Sequence, residues 1–473
     1  MGMAPLGIYL ANMGFSVEAY DDFFREPLRS QLEESGVQIL NEPVPLKRPD
    51  LIIRSSAVSE DDPRLLPFRK LDLPIYRRGQ FVSRFCRSKQ VVAVVGSHGK
   101  TTTSGMLVWA LDQVGFSFSY MVGGRFQDDL LPIGSFDEHS PWLVLEIDES
   151  DGTINEFEPH ITLALNCDWD HVDQYTSPEH LKETFHELFK RTKSKVMVPS
   201  AGELSDWAEQ IIPGSYHTFN SPSEPADFMM ANQEAVISAG HAIGVDLSKL
   251  DFSKFPGMER RQSLLFESEK LTILEDYAHH PVEIRALLSS RRRQLPDHWM
   301  HVLFQPHRFT RTKALAASFA EELSEVDDLQ FMPTYGAFEK YDASGGSESL
   351  IGNLPPRLRK NAKVHENFLE FYRNYSDAET ASKSTQMLFV GAGSIDRWAH
   401  GMAAMSQAGG NKLEAFCHYL KNRLSSPCNL REHEALGSKT TMGVGGDARW
   451  YAEPQNLVDL RTLIEACNLL SVP

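Results

Sequence analysis

Along the chain, short apolar runs alternate with stretches whose apolar residues recur at helical spacing, the pattern of strand–helix–strand units around a parallel sheet. The opening reads as a helix over residues 4–12, a break at Gly14, and a short strand over 17–22 that ends in acid. A helix over 27–34 follows, then Gly36, a strand over 37–40 and an apolar run at 51–53. The chain starts on a helix, with neither a strand nor a glycine-rich turn ahead of it, where a doubly wound domain normally holds its phosphate loop. The expectation is that the first strand of this unit is missing. A second unit begins sharply with the apolar strand 91–95, runs through GSHGKTTT (96–103) into a helix, and continues with strands over 142–147 and 160–165. A third starts near Arg260, with strands over 271–274, 301–304 and 387–390. The small and polar stretch GMAAMSQAGGNK (401–412) reads as a linker. Beyond it lie a helix over 413–424 and a glycine-rich turn, TMGVGGDARW (441–450).

Composition narrows the class. A length of 473 residues predicts two to four domains, each able to bury a core. No apolar run is long enough for a membrane span, and the first residues lack the basic region of a secretory signal. Lys plus Arg is 47 against 64 Asp plus Glu, a formal −17. That balance argues against a general nucleic-acid binder, though not against a nucleotide held in a local pocket. The five cysteines, Cys86, Cys167, Cys417, Cys428 and Cys467, show no C-x-x-C spacing. They point to a reducing cytoplasm rather than a disulfide framework or a zinc site.

The chemistry-bearing residues follow apolar strands, where open α/β sheets place ligands. At 96–103 a buried strand, a glycine turn and a Lys-Thr pair opening a helix aim backbone N–H groups at phosphates. Gly96, Ser97, His98, Gly99 and Thr102 would line that cradle, Lys100 would neutralise the outer phosphate oxygens, and Thr101 would ligate Mg²⁺. The regular G-x-x-x-x-G-K-[ST] spacing is not met, because Val94 stands where its first glycine belongs. EIDESDG (146–152) sets four acids within six residues, which repel one another unless a cation joins them; a solvated acidic loop is the alternative. NCDWDHVD (166–173) offers His171 as a metal ligand or a plain loop histidine. In DYAHHPVE (276–283) and FQPHRFTR (304–311), His307, Arg308 and Arg311 form a cationic group suited to a carboxylate, or a basic surface turn. Together these residues describe ATP, one or two Mg²⁺ and a facing carboxylate-recognising domain. That suits a ligase activating a carboxyl group as an acyl phosphate.

In the order GSHGKTTT, EIDESD, NCDWDHVDQY, DYAHHPVE, FQPHRFTRT and GAGSI, over roughly residues 2–400, the chain resembles the Mur ligase family. The P-loop histidine and the pair His279-His280 favour its alanine-adding branch. The resemblance implies an α/β fold of three domains: a Rossmann-like UDP-sugar domain (1–88), a central P-loop ATP domain (89–258) and a Rossmann-like amino-acid domain (259–402). It implies ATP-dependent ligation of L-alanine to UDP-N-acetylmuramate in peptidoglycan precursor synthesis, with Mg²⁺, in the cytoplasm, and with no nucleic-acid or membrane partner. By matching position, Lys100, Glu146 and His171 would be catalytic, and Thr101, Glu146 and His171 would hold Mg²⁺. Asn232 would read adenine, Arg260 with Arg261 would open the third domain at the nucleotide, and Asp276 would meet the ribose. Tyr277, His279, His307, Arg308 and Arg311 would surround L-alanine.

Two departures carry expectations of their own. The family's opening strand and its G-x-G-G turn are absent, which predicts poor UDP-sugar binding and leaves sheet neighbours unpaired. After a linker at 403–412, residues 413–473 resemble the start of the UDP-N-acetylenolpyruvoylglucosamine reductases, a partial FAD-type α+β domain whose remainder would lie beyond residue 473. FAD is not expected on this portion. The rival readings are a murein-peptide-recycling ligase of the same family, a P-loop nucleotide switch, and a non-catalytic flavin module. The switch is disfavoured by the lack of an N-K-x-D guanine-reading motif.

Overall fold

A computed structural model describes residues 2–472 apart from 23, 25, 150–151, 170–174, 176, 222–227, 338, 377–382, 422, 425–428 and 455. Its centre is a seven-stranded sheet. In spatial order its strands are Tyr216–Phe219, Lys195–Pro199, Ile161–Ala164, Gln90–Val95, Trp142–Glu146, Ser119–Met121 and Gly134–Ser135, all parallel except the last. Val92 to Val95 are buried on both faces, which is why this strand reads as an unbroken apolar run. Val94 pairs with Glu146 on one side and Leu163 on the other, so the ends of three strands meet at the edge where the P-loop begins. The helix Lys100–Gln113 is buried from Thr103 to Leu111, because it lies between this sheet and the helix Phe228–Ala242.

The third unit is a five-stranded sheet in the order Ser263–Glu267, Leu271–Asp276, Thr385–Val390, Trp299–Phe304 and Asp328–Phe331, with only the first strand antiparallel. Val390 pairs with both Asp276 and Phe304. This register brings the segments after all three strands to one edge. Lys195–Pro199, Tyr216–Phe219, Ser263–Glu267 and Asp328–Phe331 were not legible in the apolar pattern.

The first unit holds the helix Ala4–Asn12 and two separate parallel pairs: Glu18–Ala19 with Gln38–Ile39, and Ile52–Arg54 with Ile75–Arg77. Among the described residues no strand joins them. The helix anchors elsewhere, with Leu6, Tyr9 and Leu10 packed in the same cluster as Val91 and Leu143. Tyr9 meets Phe136 edge-on at 5.3 Å.

Residues 401–412 do not form a linker. The helix Ile395–Gln407 runs through most of that stretch with Met402, Ala403, Ala404 and Met405 buried, and it ends at Gly409 and Gly410 in the left-handed region. Its small residues permit close approach: a Cβ on Gly401 would lie 2.9 Å from Leu469 and 3.0 Å from Phe368. The next helix, Lys412–Leu420, is shorter than the expected 413–424. A hairpin (Asn429–Ala435 with Asp447–Glu453) precedes the helix Leu457–Leu470, which inserts Leu463, Ala466 and Leu470 among Trp398, Met402 and Phe416. The segment expected to be a separate unit thus shares the third unit's core. Among the described residues no helix is long and apolar enough to cross a membrane.

Candidate active site

The P-loop joins Val95 to Lys100 through two glycines at positive φ, Gly96 at +141° and Gly99 at +78°, a conformation that side chains disfavour. It is pinned from the neighbouring strand. Asn166 accepts from the His98 N–H at 2.8 Å and donates to the His98 carbonyl at 3.0 Å, while the Ser97 hydroxyl donates to the Asp168 carbonyl at 2.8 Å. The Lys100 Nζ lies 2.9 and 3.2 Å from the Glu149 oxygens, 2.6 Å from the Gly96 carbonyl and 3.8 Å from Asp148. Burial disfavours its charge, but Glu149 and Asp148 outweigh that and hold the ammonium above the usual lysine range.

Glu146 is gathered over the start of the same helix. It accepts from the Thr101 hydroxyl at 3.0 Å, the Ser104 hydroxyl at 3.2 Å and the Gly123 N–H at 2.9 Å. A Cβ at Gly123 would fall 2.6 Å from both carboxylate oxygens, so the close approach needs glycine. Thr101 and Glu146 offer hard oxygen ligands that fit Mg²⁺, which commonly completes its shell with phosphates and water. Among the described residues no three His, Cys, Asp or Glu side chains gather as a metal site. His171 lies outside the described residues.

A cleft of about 600 Å³ separates this loop from the third unit, lined by His98, Gly99, Thr102 and Asn232 on one side and by Arg261, Asp276 and Glu283 on the other. Asn232 is buried beside Gly99, where an added Cβ would lie 3.2 Å from its Oδ1. Arg260 and Gln262 have positive φ, and this kink lets the Gln262 N–H donate to Asp276 at 2.8 Å; the Ala278 N–H donates at 2.7 Å. Burial nevertheless pushes the Asp276 carboxyl up to about 6, against Arg261 and these two donors. Arg260 does not line the cleft. Its guanidinium donates to the Gly391 and Gly393 carbonyls and lies 4.8 Å from the Tyr277 ring, so it braces the third unit.

The expected amino-acid residues form one chain of contacts. His279 Nδ1 lies 2.9 Å from the Tyr277 carbonyl, and its ring meets His307 edge-on at 5.8 Å. Arg311, 4% exposed, places Nη1 3.3 Å from His307 Nδ1. Arg308 has φ +70°, and its N–H donates to the Tyr335 carbonyl. Three residues of this region were missed. Tyr335 stacks on His307 at 5.6 Å, buried Gln305 accepts from the Ile395 N–H at 2.9 Å and fixes the GAGS turn, and Glu149 holds Lys100. Glu149 left a signal as one of the four clustered acids and Gln305 as a member of FQPHRFTR, whereas Tyr335 left none. A shallow groove of about 720 Å³ along Lys313, Ala317 and Ser324 brings none of the expected site residues together.

Residues 94–236 match the Mur ligase middle domain family. A UDP-N-acetylmuramate–L-alanine ligase of Carboxydothermus hydrogenoformans is 28% identical over 437 residues, covering 84% of this chain and 93% of the relative. The UDP-N-acetylmuramate–alanine ligase MurC of Thermotoga maritima superposes with a TM-score of 0.68 at 23% identity, over 86% of this chain and 97% of that one. A murein peptide ligase of Psychrobacter arcticus superposes at 0.63 with 20% identity, over 86% and 96%. Residues 94–236 thus match the middle domain of Mur ligases, and 86% of the chain shares the fold of a solved one.

Proposed function

We propose that the chain joins L-alanine to UDP-N-acetylmuramate, driven by ATP cleavage, in the cytoplasmic synthesis of peptidoglycan precursors. The observation that carries this reading is a run of contacts from the P-loop to a His/Arg group suited to an amino-acid carboxylate: His98 meets Glu283 of the third unit, Glu283 meets His279, and His279 continues through His307 to Arg311. The similarity to alanine-adding relatives along 84% of the chain supports the choice of substrates.

In this reading the lactyl carboxylate of the UDP-sugar attacks the γ-phosphate in line, and ADP leaves. The alanine amine then attacks the acyl carbon of the resulting acyl phosphate, and phosphate departs. Lys100 follows the charge on the transferred group, and the backbone N–H groups of Ser97, Gly99 and Lys100 orient the phosphates, that of His98 being held by Asn166. Mg²⁺, held by Thr101 and Glu146 with His171 as a further ligand, would neutralise charge between the phosphates. Arg311 and Arg308 would clamp the alanine carboxylate, leaving the amine aimed at the cleft. Asn232 would meet adenine and Asp276 the ribose.

The test is phosphate release from Mg·ATP with each substrate alone and with both. Release that needs both substrates, and is lost in Lys100→Ala, is the expected result. Release with neither substrate would overturn the reading in favour of a nucleotide switch, and preference for an alanyl peptide over alanine would replace it with the recycling ligase.

A further inference from the structure

The carboxylate of Glu283 stands between the two halves of the cleft. It belongs to the helix Pro281–Gln294 of the third unit, where it accepts from the His280 N–H at 3.3 Å and completes a capping box. The same Oε2 accepts from the His279 N–H at 2.9 Å and lies 3.3 Å from His279 Nδ1. Its other oxygen reaches out of its own unit to His98 Nδ1 in the P-loop, at 3.4 Å. His98 is 4% exposed, its Nε2 lies 3.4 Å from Asp168, and its ring stands 4.8 Å from that of His280. One buried carboxylate therefore touches the nucleotide loop and the amino-acid site together.

We propose that Glu283 is a positioning residue that couples the P-loop to the third unit, so that its contact with His98 holds the two sites at working distance when nucleotide binds. Helix capping does not require this contact, because glutamine also completes a capping box. His279, His98 and Arg261 hold Glu283 ionised against its burial, so the carboxylate in this contact carries charge. The inference deepens the ligase reading and rests on nucleotide binding at the P-loop.

The test is a double-mutant cycle on the full chain, reading the dissociation constant of a non-hydrolysable ATP analogue with Mg²⁺ for wild type, His98→Gln, Glu283→Gln and the double variant. Each single change is expected to weaken binding roughly tenfold, and the double variant no more than either alone. Losses that multiply to roughly a hundredfold, or wild-type binding by Glu283→Gln, would overturn the proposal. Solution scattering gives a readout that does not need the glutamate variant to fold. The wild type stays compact on adding the analogue and His98→Gln opens; a His98→Gln chain as compact as wild type would also overturn it. Substrate-dependent phosphate release is read separately, so its failure would sink the ligase reading and leave the cycle standing.

Discussion

Replacing Glu149 by glutamine removes the negative charge that Lys100 faces while keeping the side chain's shape. The pair is buried, with the lysine side chain 12% and the glutamate 1% exposed, so solvent screens little of the loss. Removing one partner of such a pair costs about 3–5 kcal/mol. The amide oxygen of glutamine still accepts from Nζ, which sets the loss near the lower end, about 3 kcal/mol. For a unit of roughly 150–250 residues each kcal/mol shifts the melting temperature by about 2–4 °C, so Glu149→Gln should melt about 6–12 °C below wild type. The phosphates of a bound nucleotide supply the missing anion to Lys100. A non-hydrolysable ATP analogue with Mg²⁺ should therefore stabilise the variant more than the wild type and close more than half of that gap. Scanning fluorimetry with and without the analogue makes the measurement. A ligand-free loss below about 2 °C, or a gap that nucleotide leaves untouched, would refute the argument that Glu149 and phosphate alternate on the same ammonium.

Asp276 titrates near 6 in the fold and near 3.9 unfolded, so its contribution is present below about pH 4 and lost as pH rises through about 6. Asp276→Asn should flatten the pH dependence of urea unfolding across that window; an unaltered slope would show the carboxyl is not the source. Gly123→Ala drives a methyl into the Glu146 carboxylate, and the Mg²⁺ concentration for half-maximal phosphate release should rise about tenfold or more, read by metal titration. Arg311→Lys exchanges a planar fork beside His307 for a point charge and should raise the alanine KM about tenfold while the ATP KM holds. Leu470→Ala hollows a fully buried position and should destabilise the third unit by about 2–5 kcal/mol in denaturant unfolding, although it lies near the end of the chain.

What could be read from the residues alone follows physical lines. The strands ending at Val95 and Glu146 were legible because their burial is written as apolar runs bounded by glycine or charge, and the helix Ala4–Asn12 because its apolar residues recur at helical spacing before Gly14. Asp328–Phe331 hides because two of its four residues are polar, and Gln330 spends its side chain on an internal contact with His365 at 3.0 Å. Tyr335 was missed because that strand, and hence the loop after it, was missed. Arg260 and Arg261 look alike in sequence, and only the left-handed turn at Arg260 decides that one braces the sheet edge while the other faces the cleft. Residues 401–412 misled for a different reason. Small side chains signal mobility in a solvated segment and intimate contact in a helix, and composition does not distinguish the two.

The helix Leu457–Leu470 belongs to the third unit's core, across the compositional break that precedes it. A chain cut at the compositional break near residue 412 would strip Leu463, Ala466 and Leu470 from Trp398 and Met402, leaving an oily face open to water. Such a shortened protein would be prone to clump, and its loss of turnover would be mistaken for loss of a catalytic group. The same anchoring ties the hairpin that ends at Glu453 to the third unit's movement. A fluorescent probe placed in its exposed glycine turn would therefore report on the third unit from a distance, without touching the cleft.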